Sequence, residues 1–228
     1  MNRENLTKEM EEQYFVKKMQ GVFRPDEMKL GRLVSRKREN KRTDFSVDLD
    51  KKQKVSAGFS RGQANHADIN IIKSKSAEKY EAIYIPTKEM ISTVEHFVTL
   101  YEEYHIDFEE MYYDLAKLLD RPLSKGPNTN EQNQILSSLE DIMKGNIVQR
   151  DKKFYFKIKG EGEFEMGLLS DGYRKLSMII YMILSGSLNR NTILFWDEPE
   201  TNMNPKMIRP IVQALVALAQ MVVQVFVS

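Results

Sequence analysis

Apolar residues recur along this chain with two spacings, and the changes between them divide it into three parts. Within Leu6 to Met19, residues Met10, Tyr14, Phe15 and Met19 fall close to a helical period with charges between them, which predicts an amphipathic helix. From Gly31 to Ile85 the period shortens. Leu33-Val34, Phe45-Val47, Val55-Phe59, Ile69-Ile72 and Ala82-Ile85 predict short strands between polar turns, arranged as an antiparallel meander. Beyond Pro86 the pattern turns helical: Thr87 is placed to cap a helix whose apolar stripe is Ile91, Val94, Phe97 and Val98. A second helix is predicted over Phe108 to Leu119, and a loop over Arg121 to Asn130, which holds two prolines and a glycine. Thr129 with Gln132 then matches a capping box for a third helix ending near Gly145.

The last part changes period again. Lys153-Ile158 and Glu163-Met166 alternate around Gly160-Glu161-Gly162, a hairpin pattern. Ser170 can cap a helix that starts at Asp171 or Gly172 and continues through Leu176, Ile179, Ile180 and Ile183. Thr192 to Trp196 is a continuous apolar run of the kind buried inside a parallel sheet. Asn204 and Pro205 cap and open a helix to about Gln220, and Val222 to Val227 supplies a further strand, which completes a β-α-β unit. The expected organisation is an N-terminal helix and antiparallel β-subdomain over residues 1–86, a helical insertion over 87–149, and an α/β part over 150–228.

Composition narrows the class. The 34 basic and 33 acidic side chains leave a net charge of +1, so no global pull toward nucleic acid or an anionic membrane exists and any such affinity is local. With no cysteine there are no disulfides and no thiolate metal sites. The N-terminus lacks the apolar core of a secretory signal. The most apolar stretch, Ile208 to Val227, is broken by Pro210, Gln213, Gln220 and Gln224, so it reads as helix plus strand and no membrane span is expected. A soluble, cytoplasmic protein is the expectation.

The candidate chemistry lies near the C-terminus. A helix N-terminus presents unpaired N–H groups and a favourable dipole to an anion, and Gly172 leaves the main chain open to a phosphate. Asp171 would repel that phosphate unless its carboxylate turns away; the plainer reading is an ordinary capped core helix. Asp197 and Glu198 emerge where the apolar strand ends, the edge at which α/β sheets bind ligands. Asp197 can hold Mg²⁺, usually through water, while Glu198 can align and deprotonate an attacking water. Alone, the pair could equally be a polar turn.

Taken together these segments resemble the ATP-binding-cassette class of ATPases. Leu169-Ser170-Asp171-Gly172-Tyr173 matches the signature L-S-G-G-Q at three positions, departing at Asp171 and Tyr173. Ile193 to Glu198 matches the Walker B strand with its catalytic glutamate, and Asn202 and Asn204 fall in the D-loop, with Asn204 in place of its usual aspartate. With Tyr84-Ile85-Pro86-Thr87-Lys88-Glu89-Met90, the wording is closest to bacterial ATPases of the SMC, RecF and OLD-like branch, from about Leu30 onward. The resemblance implies a P-loop NTPase fold, ATP and Mg²⁺ as ligands, and a homodimer that sandwiches nucleotide. In that sandwich Ser170, Asp171 and Gly172 meet the nucleotide of the opposite chain, Asp197 serves the metal and Glu198 is the base. It further implies roles in DNA maintenance, DNA repair or anti-phage defence, with a nuclease or toxin effector or DNA as partner.

Two departures qualify this. None of the eleven glycines is followed by lysine, so the phosphate-cradling G-x-x-x-x-G-K-[ST] loop is absent from these 228 residues. The family's switch histidine would follow the strand ending Val227-Ser228. Either a longer polypeptide supplies both, or the chain is a remnant that completes or regulates a partner ATPase as a non-catalytic interaction module. Alone it is expected to bind ATP poorly and to hydrolyse it negligibly.

Weaker candidates have plain alternatives. Arg32, Arg36, Lys37, Arg38, Lys41, Arg42, Lys51, Lys52 and Lys54 could track a nucleic-acid backbone, but Glu39, Asp44, Asp48 and Asp50 interleave, as on a solvated sheet edge. His105 and Glu109 are spaced as on one helical turn without a third ligand, the pattern of a solvated helix face. Met178, Met182 and Trp196 read as core.

Overall fold

The computed structural model describes residues 7–37, 39, 41–49, 52–74 and 76–228. The chain forms two compact units, Met1–Glu78 and Lys79–Ser228.

In the first unit, helix α1 (Lys8–Phe23) is capped by Thr7, whose side chain accepts from the Met10 amide, and it runs one turn past the predicted end. Leu6, the predicted start, lies outside the described residues. Leu33-Val34 does not form the expected strand, because Leu30–Leu33 is a turn of 3-10 helix. Here main-chain contact overrides alternation. The Leu30 and Gly31 amides donate to the carbonyls of Ala64 and Gln63, and a Cβ on Gly31 would stand 2.1 Å from the Arg61 carbonyl oxygen. Strands β1 (Arg42–Leu49), β2 (Gln53–Ser60) and β3 (Asp68–Lys73) form the expected antiparallel meander, with Phe45, Ala57 and Ile69 in register. A small core of Val16, Leu30, Val34, Ala57, Phe59, Ala67 and Ile69 lies between the sheet and α1. Within the basic stretch, Arg32 pairs with Asp26, Arg42 with Asp44 and Asp68, and Lys54 with Asp48. These pairs fit a solvated edge. Arg38, Asp50 and Lys51 lie outside the described residues.

The second unit opens with a correction. Strand β4 (Glu81–Ile85) is no part of the meander but pairs in parallel within a different sheet. Alternation reports only that one face is covered, here by Ile83 and Ile85, and is blind to strand direction. Helix α2 (Val94–Tyr104) begins at Thr93, not Thr87, since Met90 and Ile91 are buried from a non-helical turn. Helix α3 (Glu110–Leu119) follows, and α4 (Asn130–Met143) carries both halves of the Thr129–Gln132 capping box. His105 is a left-handed residue closing α2 and Glu109 precedes α3, so they do not share a helical turn; among the described residues no cluster of three or more His, Cys, Asp or Glu could hold a metal.

The hairpin has a third strand that the pattern missed: β5 (Gly145–Arg150) pairs with β6 (Lys153–Ile158), which pairs with β7 (Gly162–Glu165). Helix α5 (Asp171–Leu184), strand β8 (Thr192–Trp196), helix α6 (Pro205–Gln220) and strand β9 (Gln224–Val227) complete the unit. The parallel sheet has the order β4-β8-β9. Its covered face joins one core, in which Leu194 and Trp196 meet Leu115 and Leu119 of α3, Leu139 of α4, Leu176, Ile179 and Ile183 of α5, and Ala214 and Leu218 of α6. Met178, Met182 and Trp196 are core, as expected. On the opposite face Tyr84, Phe195 and Phe226 stand in register and exposed. Among the described residues no helix is long and apolar enough to cross a membrane.

Candidate functional site

Burial of Trp196 as the last residue of β8 puts Asp197 at the carboxyl edge of the parallel sheet. The ladder continues one step past the strands. The Asp197 amide donates to the Ile85 carbonyl at 2.9 Å and the Ser228 amide to the Trp196 carbonyl at 3.3 Å, which holds the ends of β4, β8 and β9 level. Three hydroxyls then converge on one carboxylate. Ser228 Oγ donates to Asp197 Oδ1 at 2.6 Å, and Tyr84 Oη and Thr87 Oγ1 each donate to Oδ2 at 3.2 Å. The Ser228 hydrogen bond, helped by those of Thr87 and Tyr84 and opposed by desolvation, holds the Asp197 carboxyl below the usual aspartate range. Burial and then the Asp197 charge push the Tyr84 phenol up. Thr87, expected as a helix cap, is instead part of this group.

Glu198 follows in a tight loop. It is exposed, its backbone sits in the left-handed region at φ 41°, and its Oε2 accepts from Thr201 Oγ1 at 2.8 Å. Asn202 is also left-handed, at φ 59°, and Asn204 caps α6 by accepting from the Lys206 amide at 3.0 Å. Beneath the loop lies Lys175 of α5, 1% exposed. Its Nζ donates to the carbonyls of Glu198 at 3.3 Å, Pro199 at 3.1 Å and Thr201 at 2.9 Å. Burial pushes this ammonium below the ordinary lysine range, against the pull of the carboxylates of Asp171, Glu200, Glu198 and Glu89.

At the start of α5, Ser170 holds the N-cap position, exposed and without a side-chain cap bond. Asp171 does not present a bare carboxylate, because Arg174 pairs with it from one turn along. The same guanidinium reaches Glu89, 6% exposed, through Nε at 3.3 Å, and Glu89 also accepts from the Ser92 amide and hydroxyl. Gly172 has a packing reason beside the one expected. Its Cα hydrogens face Met207 of α6, where an added Cβ would lie 2.8 Å from the Met207 Cβ, so the glycine admits a helix, not only a phosphate.

The predicted residues thus gather in two places in one unit: Asp197, Glu198, Asn202 and Asn204 along the β8–α6 loop, and Ser170, Asp171 and Gly172 at the head of α5. Sequence reasoning missed Tyr84, Thr87, Ser228, Arg174, Glu89 and Lys175 as participants. Lys175 left a signal, for a lysine three and four residues before Met178 and Ile179 lies on the apolar stripe of its helix. The hydroxyls left none, since only the parallel pairing brings residues from three strand ends together.

A family model described as "AAA domain, putative AbiEii toxin, Type IV TA system" matches residues 21–228. None of the curated proteins compared with the chain matches it. Among solved structures, the SMC head domain from Thermotoga maritima is similar at 12% identity and TM-score 0.41, over 82% of this chain and 62% of that one. A structure described as "An inward-facing conformation of a putative metal-chelate type ABC transporter" is similar at 14% identity and TM-score 0.30, over 73% of this chain and 52% of that one. The chain therefore spans less than two thirds of the length of either. The chain belongs to the AAA-domain family whose model covers it from residue 21 to residue 228.

Proposed function

We propose that these residues form the Walker B, signature and D-loop side of an ATP-hydrolysing site that works as a nucleotide-gated dimeric clamp. The observation that carries this reading is the convergence of Ser228, Thr87 and Tyr84 on the Asp197 carboxylate at the carboxyl edge of a parallel sheet. An anionic carboxylate amid hydroxyl oxygens is a hard donor set that fits Mg²⁺, and it is too sparse to cage a metal without phosphates and water. When bound with ATP, Mg²⁺ would neutralise charge on the β- and γ-phosphates. Asp197 would hold it, directly or through water. Glu198, exposed on its loop, would orient the attacking water and accept its proton. Ser170 and the first amides of α5 would receive the γ-phosphate held by an opposite protomer, and the Arg174 pairing of Asp171 removes the charge that would oppose it.

The homodimer follows from that split of parts between two lobes. A setting in DNA maintenance or anti-phage defence, with DNA or a nuclease or toxin effector as partner, rests on family analogy; the family's description names a toxin–antitoxin system. A second reading is an interaction module that completes another ATPase. The test is Glu198→Gln in a polypeptide that also carries the phosphate loop. Hydrolysis should vanish while ATP-driven dimerisation persists. Turnover near wild type would remove Glu198 as the base, and dimerisation indifferent to ATP would favour the module.

A further inference from the structure

Lys175 is the one buried lysine in the core of the second unit among the described residues, and nothing in the proposed chemistry uses it. An ammonium has three N–H donors, and here three main-chain carbonyls, of Glu198, Pro199 and Thr201, lie within hydrogen-bond distance. Burying a charge is costly unless its bonds are made, so the arrangement persists only if the loop keeps those carbonyls turned inward. The loop has reason to drift. Two of its residues, Glu198 and Asn202, occupy the left-handed region that non-glycine residues rarely adopt, and such conformations last only where the surroundings over-determine them. Lys175 provides that determination from the adjacent helix, together with the Thr201 amide, which donates to the Glu198 carbonyl at 3.1 Å.

We infer that Lys175 is a positioning residue that locks the loop presenting Glu198 and Asn202 to helix α5. The inference rests on the reading of Glu198 as the base. Its consequence is mechanical. Lys175 lies one turn from the head of α5, so the helix end proposed to meet one nucleotide and the loop proposed to serve the other move as one piece. Displacement of Ser170 or Asp171 is then transmitted to Glu198 through a side chain that cannot leave the core without taking the donor from the buried-facing carbonyls of Pro199 and Thr201.

The test needs no nucleotide, so its failure is distinct from failure of the ATPase reading. In the 228-residue chain, Lys175→Met should raise amide exchange tenfold or more across residues 198–203 and leave Phe154, Phe156 and Leu115–Leu119 as protected as in wild type. Lys175→Arg should restore part of that protection. A Ser170→Asp change should shift the amide resonances of Glu198 to Asn202 in the wild-type background and not in Lys175→Met. If Lys175→Met does not fold, through-hydrogen-bond couplings between the Lys175 Nζ and the carbonyl carbons of Pro199 and Thr201 test the same contact in the unaltered chain. Unchanged loop exchange, exchange raised uniformly over the unit, or absent couplings would overturn the inference.

Discussion

Ser228 Oγ donates a 2.6 Å hydrogen bond to Asp197 Oδ1, joining the residue after β9 to the residue after β8 across the edge of a parallel sheet. This bond, more than the bonds from Thr87 and Tyr84, lowers the pKa of Asp197.

Stability should therefore depend on Asp197 in acid. A carboxyl whose pKa is lower folded than unfolded contributes stability that is fully present above the unfolded value, near 4, and is lost as pH falls through the folded value. Carbon-detected titration of Asp197 should give a midpoint below that of an ordinary aspartate, and Ser228→Ala should move it upward. A midpoint unmoved by Ser228→Ala would remove the hydroxyl as the cause.

Gly172→Ala should destabilise the second unit by about 1–3 kcal/mol, the usual cost of overpacking, even though alanine is the better helix former by roughly 1 kcal/mol. The contacted atoms are the Met207 Cβ and Cγ, close to the backbone, so they cannot swing away. Urea denaturation of Gly172→Ala, Met207→Ala and the double variant measures this, and the double variant should recover part of the loss.

Arg174→Met should cost less than the ~3–5 kcal/mol of breaking a fully buried ion pair, because Glu89 keeps its two bonds from Ser92. It should also leave Asp171 unpaired at the head of α5. Thermal unfolding checks the first statement. Weaker ATP-driven dimerisation in a polypeptide carrying the phosphate loop checks the second.

A bulky side chain at Ser170 should block closure of an ATP sandwich more than nucleotide binding, because the exposed N-cap lies outside the carboxylate group around Asp197. Separate assays of nucleotide affinity and of dimer mass decide it. Equal loss of both would contradict a role across the dimer.

How far the sequence announced this arrangement varies from element to element. Helix α4 was legible to its capping box, because Thr129 and Gln132 satisfy each other locally. Strand β8 and the Asp197-Glu198 pair were legible because a continuous apolar run followed by two carboxylates says where a buried strand ends. Strand β4 was assigned to the wrong sheet, since parallel and antiparallel partners leave the same alternation on a half-covered strand. Strand β5 was missed because Ile147 and Val148 are its only apolar residues and its pairing with β6 is what holds it. The site was half legible. Its carboxylates sit in a recognisable string, while Thr87 and Ser228 reach them only through strand order, and the Gly172 contact with Met207 depends on how two helices cross.

The central claim is that the edge at Asp197 is where metal-bound nucleotide sits. The measurement that tests it most directly is paramagnetic broadening of the amide resonances of the 228-residue chain by Mn²⁺-ATP, with phosphate release followed in parallel. Release should stay near background and binding should be weak. Broadening should centre on Thr87, Asp197, Glu198 and Ser228 and disappear in Asp197→Asn. Broadening centred elsewhere, or unaffected by Asp197→Asn, would contradict the account.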